Sequence, residues 1–165
     1  MENILLMRGE RDNKVYICSP LRGADWIATQ RNMIAARYYM YLTWVHTHRY
    51  PRAPHAYLPL LFCEDKPGDR YLARHCRMVM LSQSTEVFVC GSRLTEEMRE
   101  EINHAMNLGK PITVFHQAVY DEVRMHFRRK QRDKNLLVLN TDPRHDVLGL
   151  SADELFDAAE EVDEE

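Results

Sequence analysis

Residues 86–115, EVFVCGSRLTEEMREEINHAMNLGKPITVF, decide the fold. Residues 86–90 form a short β-branched and aromatic run that stops at Gly91, the pattern of a buried strand. Thr95 is placed to N-cap a helix, and Met98, Ile102, Ala105 and Met106 recur behind it at helical spacing. Gly109 suits the position just past the helix end, and Pro111 cannot continue it, so 112–115 begins a second strand. Strand, helix and strand make a β-α-β unit, which requires a parallel pair and a right-handed crossover. Helical stepping places Glu101 on the flank of the apolar stripe, between Ala105 and Leu108, and turns Glu96, Glu97 and Glu100 more towards solvent. A carboxylate early in a helix after a strand's C-terminal end is where open α/β sheets place their chemistry. The plainer alternative is an acid that only complements the helix dipole.

Working outward, residues 14–19 (KVYICS) read as a strand that runs into the tight turn Pro20-Leu21-Arg22-Gly23. Residues 24–46 then have the length of an amphipathic helix, with Trp26, Ile27, Met33, Ile34, Tyr38, Tyr41, Leu42 and Val45 as its apolar pattern. A strand ending in a hydroxyl, a turn glycine and an arginine suits an anion or a sugar near a helix N-terminus. Residues 52–58 are an extended segment broken by Pro54, 60–68 a loop, and 69–81 a helix with Leu72, Cys76, Val79 and Met80 facing inward.

Downstream, 118–134 reads as a helix with Val119, Val123 and Phe127 on one side. Arg124, Arg128, Arg129, Lys130, Arg132 and Lys134 form its solvated face. Residues 136–139 (LLVL) read as one more buried strand, and Ser151-Ala152-Asp153-Glu154 as a capping-box start to a last helix. The alternation predicts an α/β fold: a flavodoxin- or Rossmann-like doubly wound parallel sheet of about five strands flanked by helices, with its site at the C-terminal strand ends. One domain is expected over 1–150, followed by an acidic C-terminal helix or tail over 151–165.

Composition narrows the function classes. A hydrophobic content of 45% and a charged content of 28% are ordinary for a soluble globular chain of 165 residues. No apolar run approaches a membrane span and no signal-peptide core precedes the first strand, so a cytoplasmic protein is expected. Cys18, Cys63, Cys76 and Cys90 lie far apart and are expected to be reduced and buried. The eight histidines lack ligand spacing, so no metal site and no cofactor are expected. Removing the eight acids of 151–165 from the 25 leaves 17 against 22 basic residues, a body of about +5. That excess is compatible with a small anionic ligand and falls well short of a nucleic-acid-binding surface.

Three motifs, in order, resemble one family: Tyr16-Ile17-Cys18-Ser19-Pro20-Leu21-Arg22-Gly23, then Ala53-Pro54-His55, then Gly91-x3-Thr95-x2-Met98-x2-Glu101-Ile102-x2-Ala105-x3-Gly109-Lys110-Pro111-Ile112. This is similar to the nucleoside 2-deoxyribosyltransferase-like superfamily, above all to its small phage and bacterial domains of unknown function. A more distant likeness is to the 2-deoxynucleoside 5-monophosphate N-hydrolases. The resemblance spans about 14–115 and implies that Glu101 attacks or stabilises the sugar's anomeric carbon as the base leaves, with Tyr16 as the site tyrosine. It further implies that Ser19, Pro20, Arg22, Gly23, His55, Gly91, Thr95 and Met98 contact the substrate, and that related enzymes complete their pockets as homodimers or larger homo-oligomers. At Thr95 the free-nucleoside transferases carry Asp and the monophosphate hydrolases Ser, so a threonine hydroxyl implies a phosphorylated ligand. Two positions depart from the pattern: Thr85 stands where the family has an aspartate, and Glu97 where it has a glycine.

Three functions follow. The first is an N-glycosidase or deoxyribosyltransferase acting on a nucleotide or nucleoside. The second is a catalytically weak or inactive protein that senses or sequesters a nucleotide-derived ligand. The third is a scaffold acting through its basic helix and acidic tail.

Overall fold

The computed structural model describes residues 13–63, 65–130 and 136–163. The first half runs as β1 (Lys14–Cys18), α1 (Trp26–Thr47), β2 (Tyr50–Arg52), a 3-10 turn (Pro54–Ala56), α2 (Leu58–Leu61) and α3 (Pro67–Ser82). The second half is β3 (Glu86–Val89), α4 (Glu96–Asn107), β4 (Ile112–Val114), α5 (Gln117–His126), β5 (Leu137–Leu139), a second 3-10 segment (Pro143–Gly149) and α6 (Ala152–Asp163). The strands pair in the order β2-β1-β3-β4-β5, every pair parallel. This is the doubly wound α/β sheet expected, and its order reverses between β1 and β3. At such a switch point the loops leaving two neighbouring strands diverge, and a crevice opens above their C-terminal ends.

Strand alternation divides the core. Val15, Ile17, Phe88 and Cys90 point to one face, where they pack with Ala35, Ala36 and Tyr39 of α1 and with Leu155 of α6. Tyr16, Cys18, Val87 and Val89 point to the other, against Leu81 of α3, Met98, Ile102 and Ala105 of α4, and Val119 and Val123 of α5. Each fully buried Met or Ile of α4 contributes about 1.5–3 kcal/mol by leaving water. The ends of α4 follow the local chemistry foreseen. Thr95 Oγ1 accepts from Met98 N, and Gly109 takes the left-handed conformation (φ +66°) just past the helix. At α6 the capping box closes both ways, Ser151 N to Glu154 Oε2 and Glu154 N to Ser151 Oγ.

Several expectations are corrected. In α1 the buried residues are Thr29, Asn32, Met33, Ala35, Ala36, Tyr39 and Thr43, whereas Ile27 is 68% and Tyr41 63% exposed. Small side chains let the helix axis approach the sheet, and polar ones find partners: Asn32 donates to the Leu21 carbonyl and Tyr39 to that of Leu150. In α3 the inward stripe is Ala73, Arg77 and Leu81, not Leu72 and Val79, which are exposed. Residues 58–61 of the expected extended and loop region form the one-turn helix α2, and Cys63 is exposed rather than buried. The basic helix ends at His126; Arg132 and Lys134 lie outside the described residues. Val138 makes the last strand only half buried, as befits the sheet edge. Among the described residues no helix is long and apolar enough to cross a membrane.

Candidate functional site

Four elements on the α3–α4 face converge on one carboxylate. Glu101 lies in the second turn of α4, fully buried, because the helix turns that position onto β1. His55, in the 3-10 turn leaving β2, places Nε2 2.9 Å from Glu101 Oε1 and 3.2 Å from Oε2. Arg77, in the middle of the buried α3 stripe, donates from Nη1 to Oε1 at 3.0 Å. Tyr16, on the face of β1 that meets α4, stands edge-on to the His55 ring with centroids 6.3 Å apart. The flank position expected for Glu101 is thereby corrected: the side chain fills the interior between three elements.

A carboxylate taken fully out of water is costly unless paired and hydrogen-bonded. Burial pushes the Glu101 pKa up, but His55 and then Arg77 more than offset it, and the group is held below its ordinary 4.5. Burial works against Arg77, yet Glu101 raises it above its usual range. Tyr16 and Cys18 are both pushed well up, first by burial and then by the Glu101 charge. The site is therefore an ionised carboxylate beside a protonated phenol and a protonated thiol, the latter donating to the Met98 carbonyl. Tyr16 Oη, Ser19 Oγ, His55 Nδ1 and Arg77 Nε are buried without a hydrogen-bond partner among the described residues. Nearly all buried polar atoms in folded proteins are paired, so two such atoms on the partners of one carboxylate, with Tyr16 Oη beside them, make this cluster the candidate site.

The remaining candidates are placed as follows. Met98 is fully buried core one turn before Glu101. Thr95 spends its acceptor on the helix cap. Gly23 donates its N–H to Thr29 Oγ1 at 3.0 Å, and a Cβ there would lie 2.2 Å from that of Ala28, so its glycine serves turn packing. Pro20 and Gly91 meet across β1 and β3, where they border a crevice of about 420 Å³ with Asn32, Tyr39, Arg93 and Ser151. Gly91 has φ +90°, and a side chain there would press on the Tyr39 hydroxyl at 3.2 Å. Arg22 and Gly23 border a second crevice of about 750 Å³, with Thr29, Leu60, Phe62 and Asp69. Glu101 borders neither.

Arg22 itself reaches Glu97, its Nε 2.8 Å from Oε1, with Nη2 on the same oxygen. The Glu97 side chain is only 16% exposed, which corrects the expectation that it points to solvent. Two site residues were thus not foreseen, Arg77 and the inward Glu97. An arginine four residues from Ala73 and from Leu81 was the only local sign of the first. Thr85, at the foot of β3, donates to the Lys14 carbonyl and makes no contact with Glu101 among the hydrogen bonds described.

Fold and site together define a doubly wound α/β protein with a buried, ion-paired carboxylate beside its switch point. The family model described as "Domain of unknown function (DUF7768)" matches residues 13–115, more than half of the 165-residue chain. The chain belongs to this family. The matched span runs from the residue before β1 to the residue after β4 and contains Tyr16, His55, Arg77, Glu97 and Glu101. A search of curated proteins found no match.

Proposed function

We propose that this chain is an N-glycosidase or deoxyribosyltransferase-like enzyme that cleaves the base–sugar bond of a nucleotide or nucleoside. The observation that carries the reading is the ionised Glu101 held between Arg77 and His55 in a water-poor setting. Breaking an N-glycosidic bond develops positive charge at the anomeric carbon, and a fixed carboxylate stabilises that centre or traps it as a covalent ester. Low local dielectric strengthens the attraction, and the two partners keep the carboxylate from reorienting as charge develops. Oε1 accepts from Arg77 and lies 2.9 Å from His55 Nε2, whereas Oε2, 3.2 Å from the same nitrogen, is the less engaged oxygen among the described residues and the one we assign to the sugar. Tyr16, kept protonated, supplies a hydroxyl donor beside it. Incubation with a panel of nucleosides, nucleotides and dinucleotides, followed by chromatography for free base, tests the reading. Release that disappears in Glu101→Gln supports it, and no release from any compound by the folded protein removes it.

A second reading, a nucleotide-derived-ligand binding protein without turnover, is favoured by Glu101 bordering neither crevice. Ligand-dependent rises in melting temperature on the same panel, without free base, would decide for it. In either case the protein acts in the cytoplasm as a homo-oligomer, with the exposed aromatic side of α1 offering the contact.

A further inference from the structure

Resting on that glycosidic reading, we infer that Glu97 is an internal anion that occupies Arg22 as a ligand phosphate would, so that the pocket selects an unphosphorylated nucleoside. Arg22 leaves the C-terminal end of β1 and Glu97 lies in the first turn of α4, so their pair bridges the β1/β3 switch point. Two guanidinium nitrogens converge on one Glu97 oxygen, a charge-assisted contact of the kind arginine also makes with phosphate. Glu97 precedes Glu101 by one helical turn on the same side of α4. Arg77 acts on both acids. Charges therefore alternate from the rim inwards, Arg22, Glu97, Arg77, Glu101, with the His55 ring beyond them.

The strongest phosphate donor at this rim is already taken, although Ser19 Oγ is buried without a partner among the described residues. Arg22 is engaged by Glu97 and the Gly23 N–H by Thr29, while Thr95 Oγ1 accepts from the Met98 N–H and keeps its own O–H to donate. The helix N-terminus favours an anion, and Glu97 supplies one from within the chain. A tethered carboxylate competes at an effective concentration that a free ligand at micromolar level does not approach. A phosphate, with about −1.5 to −2 charges, would have to displace Glu97 or sit against it. A neutral 5-hydroxyl meets neither obstacle. Thr95 by itself pointed to a phosphorylated ligand, and the Arg22–Glu97 pair reverses that inference.

The test uses the wild type, Glu97→Gln and Glu97→Ala, and each Glu97 variant combined with Arg22→Ala. Melting temperature is measured in inorganic phosphate and in chloride of equal ionic strength, and calorimetry compares a nucleoside with its 5-monophosphate. Phosphate should stabilise both Glu97 single variants more than chloride does, with no such difference in the wild type or in the Arg22→Ala combinations. The monophosphate-to-nucleoside affinity ratio should rise at least tenfold in Glu97→Ala. Glu97→Ala guards against a glutamine that still holds Arg22 through its amide oxygen. Identical responses of the wild type and both single variants to phosphate would overturn the inference. A phosphate response that appears as expected, in a protein that neither binds nor cleaves any nucleoside, would uphold Glu97 as the internal anion and remove the glycosidic reading instead.

Discussion

Arg77 Nη1 lies 3.0 Å from Glu101 Oε1, and both side chains are almost wholly withdrawn from solvent. The pair joins α3 to α4 across the face of β1 and gives the candidate site a structural duty as well as a chemical one.

Glu101→Ala should therefore cost about 3–5 kcal/mol in urea denaturation, because Arg77 would be left buried without its counter-charge. Its flank position in the sequence implied an intact fold, and burial changes that expectation. Glu101→Gln keeps the shape and one acceptor oxygen for Arg77 while losing the charge, and should cost less, which makes it the proper variant for assays of turnover. Arg77→Met/Glu101→Leu should recover much of the loss of either single change, since an apolar pair leaves no orphaned charge. Additive losses in that cycle would show that the two residues are not energetically coupled.

Acid should unfold the protein partly through Glu101. Its folded pKa is below the ordinary 4.5, so the unfolded chain binds its proton first. The resulting stability is fully present above 4.5 and is lost as pH falls through the folded value. Glu86 acts in the opposite sense: burial raises it despite Arg49, so its contribution is present below 4.5 and lost as pH rises through its folded value. Urea midpoints followed from about pH 6 to about pH 3 should fall in the wild type and fall less steeply in Glu101→Gln. Parallel slopes would place the acid sensitivity elsewhere.

Two glycines should respond differently to alanine. Gly109 has φ +66° and open space around it, so Gly109→Ala should cost about 1 kcal/mol from the left-handed conformation alone. At Gly149 a Cβ would stand 2.4 Å from the Phe115 carbonyl oxygen, a backbone atom that cannot swing aside. Gly149→Ala should cost clearly more, by about 1–3 kcal/mol. Equal thermal shifts for the two would count against the close approach of the Pro143–Gly149 segment to the end of β4.

The apolar side of α1 should be covered in solution. Ile27, Ile34 and Tyr41 recur along it and are exposed by 68%, 38% and 63%. Light scattering should give at least a dimer at micromolar concentration, and Ile34→Glu with Tyr41→Glu should return a monomer of unchanged fold. A wild-type monomer at that concentration would refute the contact.

Local sequence determined where the elements lie and what ends them. The Gly91 stop, the Thr95 cap, Gly109 and Pro111 act within a turn of the residues they affect, and the parallel sheet follows because a strand, helix, strand order admits few connections. Tyr16, His55 and Glu101 were legible as site candidates from motifs, and the structure brings these three together. Tertiary structure alone decided which face of α1 and α3 turns inward. Periodicity ranks faces by hydrophobicity, but a helix seated closely on a sheet presents its small residues, and Trp26 and Ile27 were left outside. It alone decided, too, that Arg77 meets Glu101 and that Arg22 meets Glu97, across 24 and 75 residues of chain. A buried charge takes its partner from whatever element packs against it, and no spacing within one helix encodes that choice.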